Sequence, residues 1–142
     1  MINDDIDTIE IALRKVFRDM GVKDINVGDI YKAVPMFPAI NVMLTSAEQN
    51  GLQSFQNTKI GWNLNYDISC LYAGSERGLT FKNSQKFVNK IYDALQRKKG
   101  DKLDNTVFDL ECMEIQYGRT AINETSIDGG VIKLIIQIHE VR

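Results

Sequence analysis

Residues 60–72 read I-G-W-N-L-N-Y-D-I-S-C-L-Y. Ile60, Trp62, Leu64, Tyr66, Ile68, Cys70 and Tyr72 alternate with Gly61, Asn63, Asn65, Asp67 and Ser69, and Leu71 is the exception. Successive side chains of an extended chain point to opposite faces, so this alternation predicts a long strand with one apolar face. Such a face needs cover, and what covers it decides the fold.

Two segments offer that cover. Over Asp4 to Met20, Ile6, Ile9, Leu13, Val16 and Met20 step by three and four, with Phe17 widening the stripe, which predicts an amphipathic helix. Asn3 or Asp4 caps it, acidic residues lie near its start, Arg14, Lys15 and Arg18 lie near its end, and Gly21 closes it as a left-handed residue. A second helix is expected from Asn83 or Ser84 to Lys99. Phe87, Val88, Ile91, Tyr92 and Leu95 form its apolar face, Phe81 acts as a staple before the cap, and Gly100 closes it.

The remaining segments read as strands and their connections. Val22 to Ala33 fits a short strand or an irregular connection, and Pro35 and Pro38 bracket an extended entry into a strand over Ala39 to Thr45. The polar run Ser46 to Thr58 is expected to be the extended tip of a β-hairpin, with Leu52 and Phe55 as isolated apolar residues in it. Over Thr106 to Tyr117 the apolar phase switches from Phe108, Leu110 and Cys112 to Met113, Ile115 and Tyr117, which predicts a β-bulge near Cys112 or a strand apolar on both sides near its end. Gly118 to Gly130 reads as a polar crossover or hairpin tip. In the final strand, Val131 to Val141, Ile132, Leu134, Ile136 and Ile138 share one face, while the other carries Val131, Lys133, Ile135, Gln137, His139 and Val141.

The order helix, strands, helix, strands predicts one α+β domain over residues 1–142. It is a two-layer sandwich in which two amphipathic helices pack on one face of a mostly antiparallel sheet with a long β-hairpin.

Composition narrows the function. The net charge of -2 gives no strong basic field to draw DNA or RNA. Two cysteines, Cys70 and Cys112, fall in strand-like runs and read as buried thiols, not as a disulfide scaffold. The first residues do not resemble a signal peptide, and no apolar run is long enough for a membrane span, so the expected compartment is the cytoplasm.

Catalytic motifs do not emerge. The one histidine, His139, reads as a strand-surface residue. Its pairing with Cys70 or Cys112 for nucleophilic catalysis or zinc binding would need exposed, adjacent cysteines and a further ligand. No phosphate-binding loop or dinucleotide fingerprint is present. Asp4, Asp5 and Asp7 suit a helix start. Asp109, Glu111 and Glu114 line a strand as a solvated or interface face. Arg97, Lys98, Lys99 and Lys102 sit beside Asp101 and Asp104 and read as a helix end. Trp62, Tyr66 and Tyr72 share a face with Leu64, Ile68 and Cys70 and are expected in the core, not as a stacking platform for bases. No enzyme activity, cofactor or metal is therefore expected.

Assembly is the better expectation. Leu52 and Phe55 lie among uncharged polar residues, which cost less to bury at an interface than charged ones. Asn63, Asn65 and Asp67 occupy the strand face opposite the core stripe, and Ile135, Gln137 and His139 do the same in the last strand. These eight residues are the candidate contact positions.

The layout resembles the tail terminator, or tail completion, proteins of long-tailed bacteriophages. The resemblance is carried by the opening helix ending at Met20-Gly21, by Tyr31-Lys32-Ala33-Val34-Pro35-Met36-Phe37-Pro38-Ala39-Ile40 leading into a strand, by the long strand over 60–72, by Ile91-Tyr92-Asp93-Ala94-Leu95 in the second helix, and by the late strand pair. It spans nearly the whole chain. It implies a small structural subunit that self-associates as a ring, usually hexameric, in the virion tail after assembly in the host cytoplasm. The ring would cap the tail tube, end its polymerisation and meet the neck or head-completion proteins, with no membrane or specific nucleic-acid partner. The 46–58 tip and the 118–130 segment would contact the tube or neighbouring subunits. Another neck, tube or baseplate subunit is the nearest alternative, followed by a small enzyme or ligand-binding domain.

Overall fold

The computed structural model describes residues 2–28, 35–53, 59–74, 78–122 and 124–141; side chains at 50–53, 59, 73–74, 78–81 and 140–141 lie outside that description. The elements are α1 (Ile2–Asp19), β1 (Asp24–Val27), β2 (Ala39–Gln53), β3 (Lys59–Gly74), α2 (Gly78–Lys98), α3 (Lys102–Asn105), β4 (Asp109–Ile122) and β5 (Thr125–Val141). The strands form one five-stranded sheet in the order β1-β2-β3-β5-β4. The β1–β2 pair is parallel and the other three are antiparallel. This is the expected α+β architecture, with the helices packed on one sheet face.

The alternation in β3 accounts for the core. Leu64, Tyr66, Ile68 and Cys70 are all buried beneath the helices. They pack with Ile40 and Val42 of β2, with Leu110 and Cys112 of β4, and with the Ile132, Leu134, Ile136 and Ile138 stripe of β5. From the helical layer α1 adds Ile9, Leu13, Val16 and Phe17, and α2 adds Val88, Ile91 and Leu95. Each fully buried Ile or Leu contributes about 1.5–3 kcal/mol relative to exposure, so the two stripes and the strand face hold one another in place. Trp62 is half-buried at the edge of this core, and Tyr72 lies against Phe87 of α2 with ring centroids 5.9 Å apart.

Helix α1 ends as its sequence predicts. Gly21 takes φ 80°, the Gly21 amide donates to the Arg18 carbonyl at 3.0 Å, and the Val22 amide donates to the Phe17 carbonyl at 3.3 Å. This pair of bonds is a Schellman closure, and Val22 and Phe17 share the core beside it.

Several boundaries differ from expectation. Strand β2 continues through the polar run to Gln53, with register shifts between Leu44 and Ser46 and between Gln49 and Gln53. Residues 45–49 are exposed, so this stretch of β2 is not under the helical layer and neither of its faces has to be apolar. Residues 54–58, including Phe55, lie outside the described residues. Helix α2 begins at Gly78, and Ser84, expected near its cap, is buried within it. The 118–130 segment is a hairpin tip and not a crossover, but its strands run further than expected: β4 and β5 pair as far as Ile122 and Thr125.

Glycines explain that last difference. Gly129 and Gly130 sit in β5 where it passes β3 and α2 closely, so they serve backbone approach within a strand. The expected bulge near Cys112 is present as a register shift between Cys112 and Glu114. It leaves Met113 exposed and returns Ile115 to the core side opposite Ile132. Phe108, expected to share the inward face of Leu110, precedes β4 and is exposed; its amide already bonds the Gln137 carbonyl at 2.8 Å.

Leu71, the exception in the alternation, belongs to a second apolar cluster on the other side of the sheet. Ala39, Leu71 and Ile127 are buried there, with Phe37 and Ile122 packed against them. The short segment α3 has no sequence forecast. Lys102, Leu103, Asp104 and Asn105 have φ of 53°, 50°, 56° and 62°, a left-handed turn that costs L-residues about 1–2 kcal/mol each. Burial of Leu103 in the core anchors it.

Candidate interaction surface

The face of the sheet away from the helices is the candidate site. Antiparallel register places partner side chains on the same face, and the β3–β5 partners are Gly61 with His139, Asn63 with Gln137, Asn65 with Ile135, Asp67 with Lys133 and Ser69 with Val131. Six of the eight expected contact residues, Asn63, Asn65, Asp67, Ile135, Gln137 and His139, therefore stand in two adjacent columns. Leu52 lies in β2 with its side chain outside the described residues, and Phe55 lies outside them altogether.

Local bonds fix this surface. The Lys133 ammonium donates to both Asp67 carboxylate oxygens, at 2.9 and 3.0 Å. The Asn65 amide donates to the Ser46 hydroxyl at 2.8 Å, and the Thr45 hydroxyl donates to the Asn65 carbonyl at 3.0 Å. Asn26 donates to the Asn41 side chain at 2.9 Å. At the far end, Phe108 stacks on His139 with centroids 4.6 Å apart, and the Lys102 ammonium sits 5.7 Å above the Phe108 ring. The His139 Nε2 atom is shielded from solvent and has no hydrogen-bond partner among the described residues.

Sequence reasoning missed the other end of this face. There a cleft of about 470 Å³ runs between Asn41, Asp67, Ser69 and Val131 on the sheet and the Gly118–Ile122 stretch of β4. Beside it, Arg119 donates to buried Asp128 at 2.8 Å, which commits the guanidinium, while the second Asp128 oxygen has no partner among the described residues. Reading 118–130 as a crossover or hairpin tip did not foresee strands continuing along most of it, and that hid the cleft; the Ile122 and Ile127 pair flanking Asn123-Glu124 was the available signal for where the hairpin turns.

The sheet separates the remaining chemistry-bearing groups. Cys70 and Cys112 are free, buried thiols on the helix side, whereas His139 stands on the other face. Burial pushes the Cys112 thiol up to about 11, with nearby Glu111 adding to the shift, and it raises Cys70 further. No three His, Cys, Asp or Glu side chains among the described residues are grouped to hold a metal ion. No helix of the described residues is long and apolar enough to cross a membrane.

This arrangement suits broad, non-covalent contact, with amides, an ion pair and half-buried Val131 and Ile135 spread along two adjacent strands. No protein-family model matches this chain, and no curated protein sequence matches it.

Proposed function

We propose that this chain is a structural subunit of a bacteriophage tail, the terminator that caps the tail tube as a ring and joins it to the neck. The observation that carries the reading is the one-sided cover of the sheet. Helices fill one face, while Asn63, Asn65, Asp67, Ile135, Gln137 and His139 gather on the other. The order of elements agrees with the resemblance seen in the sequence. On this reading the mechanism is steric: a closed ring occupies the tube end and offers no surface for the next tube subunit.

Native mass spectrometry with negative-stain imaging tests it. A closed ring, expected to be hexameric, supports termination. Open-ended tubes would instead make the chain a tube subunit. A monomer that stays monomeric at high concentration and at the end of a tail tube would sink the ring. The cleft beside Ser69 and Arg119 favours a second reading, a ligand-binding domain, and the same spectra would reveal a retained small molecule.

A further inference from the structure

The outer surface of α2 and the sheet face that no described helix covers carry opposite charge. Ser84, Val88, Ile91 and Leu95 turn α2 toward the core, so the opposite stripe is Lys82, Lys86, Lys90, Asp93 and Arg97, all exposed. Among the described residues none of these four cations makes an ion pair. The sheet face carries Glu48, Asp67, Asp109, Glu111 and Glu114 against Lys133 and, over Phe108 at its far end, Lys102, and Lys133 is committed to Asp67.

The bulge in β4 orders this charge. Asp109, Glu111 and Glu114 pair with Gln137, Ile135 and Lys133, which lie two residues apart along β5. The extra residue, Met113, returns Glu114 to the face that carries Glu111. The three carboxylates therefore repeat every ~6.8 Å along the strand. Lys82, Lys86 and Lys90 repeat every ~6 Å along the helix. Two rows of opposite charge and near-equal axial spacing lie on opposite sides of one subunit, the lysine row turning by about 40° per step around the helix.

We infer that the uncovered sheet face receives the α2 stripe of a second copy of this chain, with the Lys82–Lys86–Lys90 row against the Asp109–Glu111–Glu114 row. The inference rests on the ring reading above and names the two surfaces that meet within it. Because the two surfaces differ, the contact is heterologous, and a heterologous contact repeats head to tail until rotation closes it. Two identical sheet faces would instead bring carboxylates against carboxylates, which electrostatic complementarity disfavours.

Two charge-reversed variants test this, Lys86→Glu with Lys90→Glu and Glu111→Lys with Glu114→Lys. Each is checked for folding by circular dichroism and then followed by light scattering and native mass spectrometry. Each alone should self-associate at least about tenfold more weakly than the unaltered chain, and raising salt should weaken the unaltered assembly. An equimolar mixture should reassemble, because each reversed surface then finds its opposite. Rings formed normally by both variants alone would overturn this docking and leave the ring reading intact. Separate variants that dissociate and do not recover on mixing would also overturn it. An unaltered chain that never assembles would remove the ring and this contact together. Retention of DNA by α2, lost in the lysine variant with assembly unchanged, would reassign the stripe to a polyanion and overturn the proposal.

Discussion

A Cβ placed on Gly129 would lie 1.9 Å from the carbonyl oxygen of Cys70. The obstruction is backbone in the neighbouring strand, so no side-chain rotation relieves it. Gly129→Ala is expected to lower stability by about 3 kcal/mol, the upper end of ordinary overpacking. Gly130→Ala should cost less, since its Cβ would meet the Gln116 carbonyl at 2.7 Å and a Val88 methyl at 3.2 Å. Urea unfolding midpoints of the two variants check the order.

Tyr66 is buried to 1% exposure, and its hydroxyl has no hydrogen-bond partner among the described residues. Burial raises the pKa of the phenol, with Glu10 and Asp7 adding to the shift, so it remains a neutral, unsatisfied group. Tyr66→Phe removes that group and keeps the ring. The expected result is unchanged stability or a gain of up to about 1 kcal/mol. A clear loss in thermal unfolding would reveal a partner for the hydroxyl.

The two thiols make stability depend on alkaline pH. Burial holds Cys112 up at about 11 and Cys70 higher, against an ordinary thiol value of 9.0. The folded state therefore keeps its thiol protons where the unfolded state loses them. Their contribution is fully present below pH 9 and is lost as pH rises through about 11. Native protein should react slowly with a thiol-alkylating reagent at pH 8, and unfolding should release both cysteines. Rapid native labelling would contradict their burial.

The hairpin joining β4 and β5 is suboptimal at Glu124. Ile122 pairs with Thr125, leaving Asn123-Glu124 between them, and Glu124 takes φ 67°. Two-residue hairpin loops favour Asn-Gly because glycine enters this region freely. Glu124→Gly should stabilise the protein by about 0.5 kcal/mol after its greater unfolded-state freedom is counted, read as a raised melting temperature.

These residues mark what the sequence could convey. Leu64, Tyr66, Ile68 and Cys70 were legible because burial on one face imposes period two, and the bulge was legible because it breaks that phase at Cys112 and Met113. The six clustered surface positions followed from the same parity. The strand character of 46–53 and 118–130 was not legible. Outside the helical cover a strand needs no apolar stripe, and Gly129-Gly130 imitates a turn while serving close approach. Leu71 looked like noise until β5 brought Ile127 to it. The reversal at Lys102–Asn105 leaves only a weak local signature: Asp104 and Asn105 tolerate left-handed backbone, but Lys102 and Leu103 do not, and the anchor is the tertiary burial of Leu103.

The two borders of the sheet are unequal. One is β1, four residues held parallel to its neighbour, and the other is β4, fourteen residues long. A border strand offers unpaired amides and carbonyls to any passing chain. Because β1 pairs only with Ala39–Val42, β2 beyond Val42 has no strand partner on that side among the described residues, so both sides of the sheet present a long run of backbone to a further strand.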